Sequence, residues 1–121
     1  MAESQGAVSW ERIGDVSVIR FNASRVTDIE FSQQAMAELA DFIQQIGGKV
    51  IFSLKNVAFL SSVGVSILVE LNNKLRAAGG RLKVCDIQPL VWDIFRSIEL
   101  HRAIDLVQTR GEAMTAFNTG R

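Results

Sequence analysis

The sequence predicts a single α/β domain with a mostly parallel central sheet, an antiparallel hairpin strand at the N-terminal side and about four helices. Two β-prone runs flank the turn pair Gly14-Asp15, which predicts an antiparallel hairpin. From residue 27 onward helical and strand-like segments alternate, a pattern typical of right-handed crossovers onto a parallel sheet. The run from Val50 to Leu54 is almost continuously apolar, as in a central strand covered on both faces. The predicted order is therefore β-β-α-β-α-β-α-β-α.

The length and composition suit one packed domain and exclude several classes of partner. Of 121 residues 48% are hydrophobic, and we expect the domain to span residues 8–117 between short tails at 1–7 and 118–121. Because 13 basic residues balance 13 acidic ones, bulk attraction to nucleic acid or to an anionic membrane is not expected. The N-terminal residues lack the features of a secretion signal, and no apolar stretch is long enough to span a bilayer. A cytoplasmic location without membrane insertion is predicted.

The hairpin is expected over Val8–Ile13 and Val16–Phe21, and the first helix from residue 27. Thr27 and Glu30 have the spacing of a capping box, in which Thr27 covers a free backbone N–H and Glu30 reaches back. The buried stripe of this helix is expected to comprise Phe31, Ala35, Leu39, Phe42 and Ile46. Two glycines at 47 and 48 then end the helix.

The second helix is expected from Ser61 to Ala78, after the central strand. Its packed stripe comprises Val65, Leu68, Leu71, Asn72 and Leu75. A strand at Arg81–Cys85 and a short helix beginning at Pro89 follow. The packing residues of that short helix are predicted to be Leu90 and Ile94, with Trp92 and Phe95 as further candidates. A last strand at Ala103–Val107 leads to a capping box at Thr109–Glu112, which opens a final helix.

Groups that could carry out catalysis are scarce. His101 is the only histidine, Cys85 is the only cysteine and there is no tyrosine, so a nucleophile with a neighbouring base is hard to assemble. The single cysteine lies in an apolar run, where a buried reduced thiol is expected. The two glycine pairs follow helices and lack the lysine and hydroxyl residue of a phosphate loop. We therefore predict neither an enzyme nor a bound cofactor or metal.

Two adjacent serines, Ser61 and Ser62, lie where the second helix begins, at the carboxyl end of the predicted sheet. Open α/β folds usually place functional residues there, although one serine is enough to cap a helix and a purely structural role stays open. Val63 and Ile67 lie on the opposite side of the helical wheel from the packed stripe, together with Ser66. These two apolar residues either form a partner surface or are covered by the fold on that side as well.

A phosphate at this helix start would be compatible with the fold but not with docking. About two negative charges at a helix N-terminus interact favourably with the helix dipole. The same dianion beside apolar residues would have to be desolvated when a partner binds. The serine pair could therefore act as a switch without catalysis by this chain.

Three stretches of the sequence form a distributed pattern: Asn56 to Val65, Ala78 to Cys85, and Ile87 to Val91 with Phe95 and Leu100. Through them the chain resembles the STAS family, the anti-sigma factor antagonists and their relatives, over residues 8–117. In that family an aspartate, a phosphorylated serine, a small residue and a glycine open the second helix, and these positions are matched here by Ser61, Ser62, Val63 and Gly64. The resemblance implies that Ser62 is the phosphoacceptor, with Ser61 in place of the aspartate. Asp28 resembles the acidic residue that the family places near the phosphosite.

The resemblance also implies the partners of the chain. They are an anti-sigma factor with serine kinase activity, which binds the unphosphorylated domain, and a serine phosphatase that restores this form. The implied partner-binding residues are Asp28, Ser61, Val63, Gly64, Ser66 and Ile67. A constitutive scaffold, or an accessory subunit of a stress-signalling complex or lipid ABC transporter, stays open as the alternative. A nucleotide-binding enzyme is a third class, for which no phosphate loop or metal pair is found in the sequence.

Overall fold

A six-stranded mixed sheet forms the centre of the fold in the computed structural model, which describes the backbone of residues 2–4 and all of residues 6–119. The strands are Ala2–Ser4 (β1), Val8–Ile13 (β2), Val16–Phe21 (β3), Arg25–Val26 (β4), Lys49–Ser53 (β5), Phe59–Leu60 (β6), Arg81–Cys85 (β7) and Asp105–Leu106 (β8). The helices are Ile29–Gln45 (α1), Ser62–Ala77 (α2), Pro89–Ser97 (α3) and Arg110–Asn118 (α4), with a 3-10 turn at Leu100–Arg102. The predicted α/β class and the four predicted helices are confirmed.

The strand order of the main sheet is β1-β2-β3-β5-β7-β8. β1, β2 and β3 pair antiparallel, whereas β3, β5, β7 and β8 pair parallel. The hairpin strands and β7 have the predicted bounds. β1 lies within the segment 1–7, which the sequence predicted as a tail. The last strand is only two residues long, because the backbone N–H groups of Ala103 and Ile104, where the strand was predicted to begin, donate back to the Leu100 carbonyl in the 3-10 turn.

A second, two-stranded parallel sheet was not predicted. It joins β4 to β6 through the pairs Arg25 with Phe59 and Val26 with Leu60. Strands of two residues have no measurable periodicity, so a pattern-based prediction cannot find them. This small sheet connects the segment before α1 to the segment before α2.

Two apolar clusters cover the two faces of the main sheet. Val50 and Phe52 belong to the larger cluster, which also contains the buried residues of α1, α2 and α3. Ile51 belongs to the smaller cluster together with Ala113 and Phe117 of α4. Alternate residues of β5 thus point to opposite faces, and both faces are buried. The prediction that the apolar run is a doubly covered central strand is confirmed.

Two details of helices α1 and α3 differ from the predictions. The N-cap of α1 is Asp28, whose carboxylate accepts from the backbone N–H of Glu30, and the predicted cap Thr27 lies one residue further out. Leu90 of α3 is 53% exposed, because Val91 and Phe95 form the buried stripe of that helix. The stripe is therefore rotated by about one residue, or 100° on the wheel, from the predicted one.

Candidate functional site

Ser61 and Ser62 have different surroundings at the start of α2. Ser61 is the N-cap, with an extended backbone and a half-buried side chain whose Oγ accepts from the backbone N–H of Val63 at 3.2 Å. Ser62 is the first helical residue and is exposed. Its hydroxyl makes no hydrogen bond within the described residues, while its carbonyl accepts from the Ser66 hydroxyl at 2.8 Å. Ser61 therefore caps the backbone N–H groups at the helix start, and the Ser62 hydroxyl is exposed to solvent.

The small sheet places the starts of α1 and α2 next to each other. The backbone N–H of Ser61 donates to the carbonyl of Val26 at 3.1 Å, only two residues before the α1 cap Asp28. Gly64 allows this close approach, because a Cβ there would lie 2.7 Å from the Leu60 Cβ and 3.1 Å from the Val26 carbonyl oxygen. Asp28 and Ser62 are thus brought to the same end of the domain, at the carboxyl edge of the parallel strands.

The burial of α2 shows which of the expected partner residues are exposed. Ile67 is only 1% exposed and belongs to the larger apolar cluster, and Gly64 is also buried. The helix packs against α1 as well as against β6 and β7, so its apolar stripe is wider than the wheel predicted. Val63 is half-buried and Ser66 is exposed. Ile67 and Gly64 therefore belong to the interior of the domain and are not part of its exposed surface.

Two exposed apolar side chains at this end were missed by the sequence analysis. Ile29, in the first turn of α1, is 64% exposed, and Leu90, in the first turn of α3, is 53% exposed. Helix α3 contacts β6, the strand that directly precedes Ser61. We call the exposed and half-exposed set at this end the switch surface, consisting of Asp28, Ile29, Ser62, Val63, Ser66 and Leu90. Ile29 could have been recognised as an apolar residue off the packed stripe of its helix.

The starts of α1 and α2 differ in charge. The first turn of α2 contains no acidic residue, so none of its own side chains neutralises the positive end of the helix dipole. The neighbouring helix contributes two acidic groups at its start, the N-cap Asp28 and Glu30 in the first turn, and the Asp28 carboxylate accepts from the backbone N–H of Glu30 at 3.3 Å. The start of α2 thus has an uncompensated positive dipole end, while the start of α1 carries two carboxylates.

The remaining candidate groups lie apart from this surface. The Cys85 thiol is fully buried in β7, and burial together with the adjacent Asp86 carboxylate raises its pKa to about 12, so it stays protonated. His101 is exposed on the 3-10 turn. Across the described ranges 2–4 and 6–119, no group of three or more His, Cys, Asp or Glu side chains could hold a metal ion. No helix in these same ranges is long and apolar enough to cross a membrane.

Comparison with known protein families identifies the family to which the chain is similar. The STAS domain family matches residues 7–113. The chain belongs to the STAS family. Its match covers every strand from β2 to β8 and ends within α4. The motif Ser61 to Gly64 and the acidic cap Asp28 lie inside the matched range.

Relatives of this STAS chain are named as anti-sigma factor antagonists. BtrV, a candidate anti-sigma factor antagonist of Bordetella bronchiseptica, is 26% identical over 88 residues, covering 73% of this chain and 76% of BtrV. An anti-sigma-factor antagonist (STAS) domain protein from Planctomyces limnophilus superposes with a TM-score of 0.77 at 22% identity, covering 93% of this chain and 98% of that one. SpoIIAA from Bacillus, solved in its phosphorylated form, gives a TM-score of 0.68 at 20% identity, covering 95% of this chain and all of that one. Unphosphorylated SpoIIAA gives the same TM-score.

Proposed function

We propose that this STAS protein is an anti-sigma factor antagonist whose binding is switched off by phosphorylation of Ser62. In its unphosphorylated form it binds an anti-sigma factor that is also a serine kinase, and thereby controls sigma-factor-dependent transcription in the cytoplasm. The kinase phosphorylates Ser62, and a serine phosphatase restores the binding form. The chain itself performs no catalysis. The observation that carries the proposal is the exposed, unengaged hydroxyl of Ser62 at the first position of α2.

The geometry favours Ser62 over Ser61 as the phosphoacceptor. The Ser61 oxygen is half-buried and accepts the backbone N–H of Val63, so a kinase would have to open the helix end to reach it. The Ser62 hydroxyl needs no such rearrangement. Loss of an N-cap costs about 0.5–2 kcal/mol, which a kinase acting on Ser61 would have to overcome. Phosphate is therefore expected on Ser62.

The switch surface explains why a phosphate would block docking without unfolding the domain. A phosphoserine carries a charge of about −1.5 to −2, and at a helix N-terminus this charge is stabilised by about 0.3–1 kcal/mol. The apolar side chains of Ile29 and Leu90 are exposed at the same end of the domain. A partner that buries them would also have to remove water from Ser62. Desolvating the phosphate without a matching cation costs several kcal/mol, and each 1.4 kcal/mol of lost binding free energy weakens binding about tenfold. Phosphorylation is therefore expected to weaken docking by a hundredfold or more.

The test is a kinase reaction followed by a binding measurement. The purified protein is incubated with a kinase-type anti-sigma factor and ATP, phosphate is mapped by mass spectrometry, and binding is measured by calorimetry. We expect phosphate on Ser62 and at least a hundredfold weaker binding of Ser62→Glu. Ser62→Ala should bind like the wild type and resist phosphorylation.

Ser61→Ala is the matched control, because it removes the neighbouring hydroxyl and should still be phosphorylated on residue 62. Phosphate found elsewhere with every kinase tested, together with unchanged binding of Ser62→Glu, would refute the proposal. A stable stoichiometric complex that is insensitive to ATP would instead support the constitutive scaffold or accessory subunit.

A further inference from the structure

A basic pocket lies at the end of the domain opposite the switch surface. It is a cavity of about 240 Å³ between the end of α2, the start of β7 and the 3-10 turn. Its lining includes the cations Arg76, Arg81, Lys83 and Arg102, together with His101. Arg76 lies 14 positions after Ser62 on the same helix, which at 1.5 Å per residue is about 21 Å away. The pocket is therefore separate from the switch surface.

Buried polar contacts hold the walls of the basic pocket in place. Asn72, a buried residue of α2, donates from Nδ2 to the carbonyl of Ala103 at 3.0 Å, which ties the 3-10 turn to the helix. Lys83, buried in β7, forms an ion pair with Asp105 of β8. A buried polar residue is costly unless it is satisfied, so these contacts specify how the turn and the edge strand sit against α2. The exposed arginines are therefore presented from fixed backbone positions.

The charges around the basic pocket are unbalanced. Asp105 is the acidic residue of its lining, and Lys83 already engages it. Arg102 pairs with Glu99 at 3.0 Å, whereas Arg76 and Arg81 make no ion pair within the described residues. The chain as a whole has no net charge, so this cluster is a local excess rather than part of a basic surface. Like charges gathered in one cavity are mutually destabilising unless an anion lies between them.

We propose that the basic pocket binds a phosphate group, with Arg76 and Arg81 as its main ligands and His101 as a further donor. Guanidinium groups match the oxygen geometry of phosphate and can each donate two hydrogen bonds to it. The volume is smaller than the roughly 300–1,000 Å³ of pockets that hold drug-sized ligands. It therefore suits a phosphate ion or a small phosphate monoester rather than a whole nucleotide. This inference does not depend on the proposed function at Ser62.

The experiment is a titration of the ¹⁵N-labelled protein, followed by NMR, with inorganic phosphate at constant ionic strength. We expect saturable shifts at the amides of Arg81 and of residues 101–103, and little response to chloride. A parallel titration with glycerol 3-phosphate distinguishes the free ion from an ester, because the source that fits the pocket should bind more tightly.

Arg76→Gln and Arg81→Gln should each weaken phosphate binding at least fivefold, and Arg81→Lys should weaken it less because the charge remains. Arg20→Gln is the matched control: it removes one exposed guanidinium at the carboxyl end of β3, whereas the pocket lies at the start of β7, and its titration should match the wild type. Shifts that grow linearly without saturation, or equal affinity in Arg76→Gln, Arg81→Gln and Arg20→Gln, would overturn the proposal. Ser62→Ala should leave the titration unchanged, so the two proposals fail independently.

Discussion

At the start of α2, two neighbouring serine side chains differ in what removing them would do to the fold. Ser61→Ala deletes the oxygen that caps the helix, so we expect the free energy of unfolding to fall by about 0.5–2 kcal/mol. Ser62→Ala removes an exposed hydroxyl that has no hydrogen-bond partner among the described residues, and its effect should stay within about 0.5 kcal/mol. Urea denaturation of the two variants measures both values. Equal losses in the two variants would show that Ser62 also contributes to the cap.

Gly64 and Gly111 are both helical glycines, but only one of them has no room for a side chain. A Cβ at position 64 would meet Leu60 at 2.7 Å and the Val26 carbonyl at 3.1 Å, whereas at position 111 its nearest neighbour is the Thr109 hydroxyl at 3.8 Å. Alanine normally stabilises a helix interior by about 0.8–1.0 kcal/mol over glycine. Gly64→Ala should nevertheless destabilise the protein, because overpacking costs about 1–3 kcal/mol.

Gly111→Ala is the matched control for this prediction, and it should be neutral or stabilising. Thermal denaturation compares the two midpoints. A higher midpoint for Gly64→Ala would mean that the contact between the segments before α1 and α2 is looser than the structure shows.

At the scale of elements, Glu38 connects α1 to the first hairpin strand. Its carboxylate accepts from the backbone N–H groups of Ala7 and Val8 at 3.3 and 3.1 Å, and from the Gln34 side chain at 2.9 Å. Hydrogen bonds to charged groups contribute about 1.5–3 kcal/mol, so Glu38→Ala should reduce the free energy of unfolding by about that amount. The measurement is denaturant unfolding followed by circular dichroism.

Asp41→Ala is the control for Glu38→Ala, since it removes one exposed carboxylate from the same helix and should change stability by no more than about 0.5 kcal/mol. Glu38→Gln keeps one acceptor oxygen and should give an intermediate loss. If Glu38→Ala is as stable as Asp41→Ala, the start of β2 is held by its strand pairing alone.

At the scale of the whole molecule, one end of the domain carries exposed apolar residues, and the other carries Arg76 and Arg81, which form no ion pair in the part of the chain that the structure describes. Ile29 and Leu90 belong to the switch surface, while Ile98, which is 50% exposed, lies beyond the last residue of α3. If the switch surface is the docking site, Ile29→Ser and Leu90→Ser should each weaken anti-sigma factor binding about tenfold or more, because buried interface anchors contribute over 1 kcal/mol each.

Ile98→Ser is the matched control, with a similar exposure and the same chemical change, and it should bind like the wild type. Calorimetry gives the three affinities, and denaturation should show that all three variants stay folded. Weakening by Ile98→Ser alone would place the partner on another face of the domain.

Local patterns were sufficient for most elements. The hairpin and β7 follow from β-prone runs bounded by turn residues, and α4 begins at the predicted cap Thr109. The packing of Leu90 was wrongly predicted, and the wheel left the burial of Ile67 open, because it shows which residues share a face but not how many neighbours cover that face. The pairing of β4 with β6 also escaped prediction, since it joins two short segments that are distant in the chain.

By itself the sequence determined the α/β class, the order of the longer elements and the position of Ser62 at a helix start. These depend on spacing, capping and turn chemistry, which act between residues a few positions apart. Only the tertiary structure decided that Ser61 is the engaged serine and Ser62 the free one, and that Ile29 and Leu90 stand at the same end. It also gathered Arg76, Arg81 and His101 around one cavity. Such arrangements arise from packing between distant segments, so no local pattern encodes them.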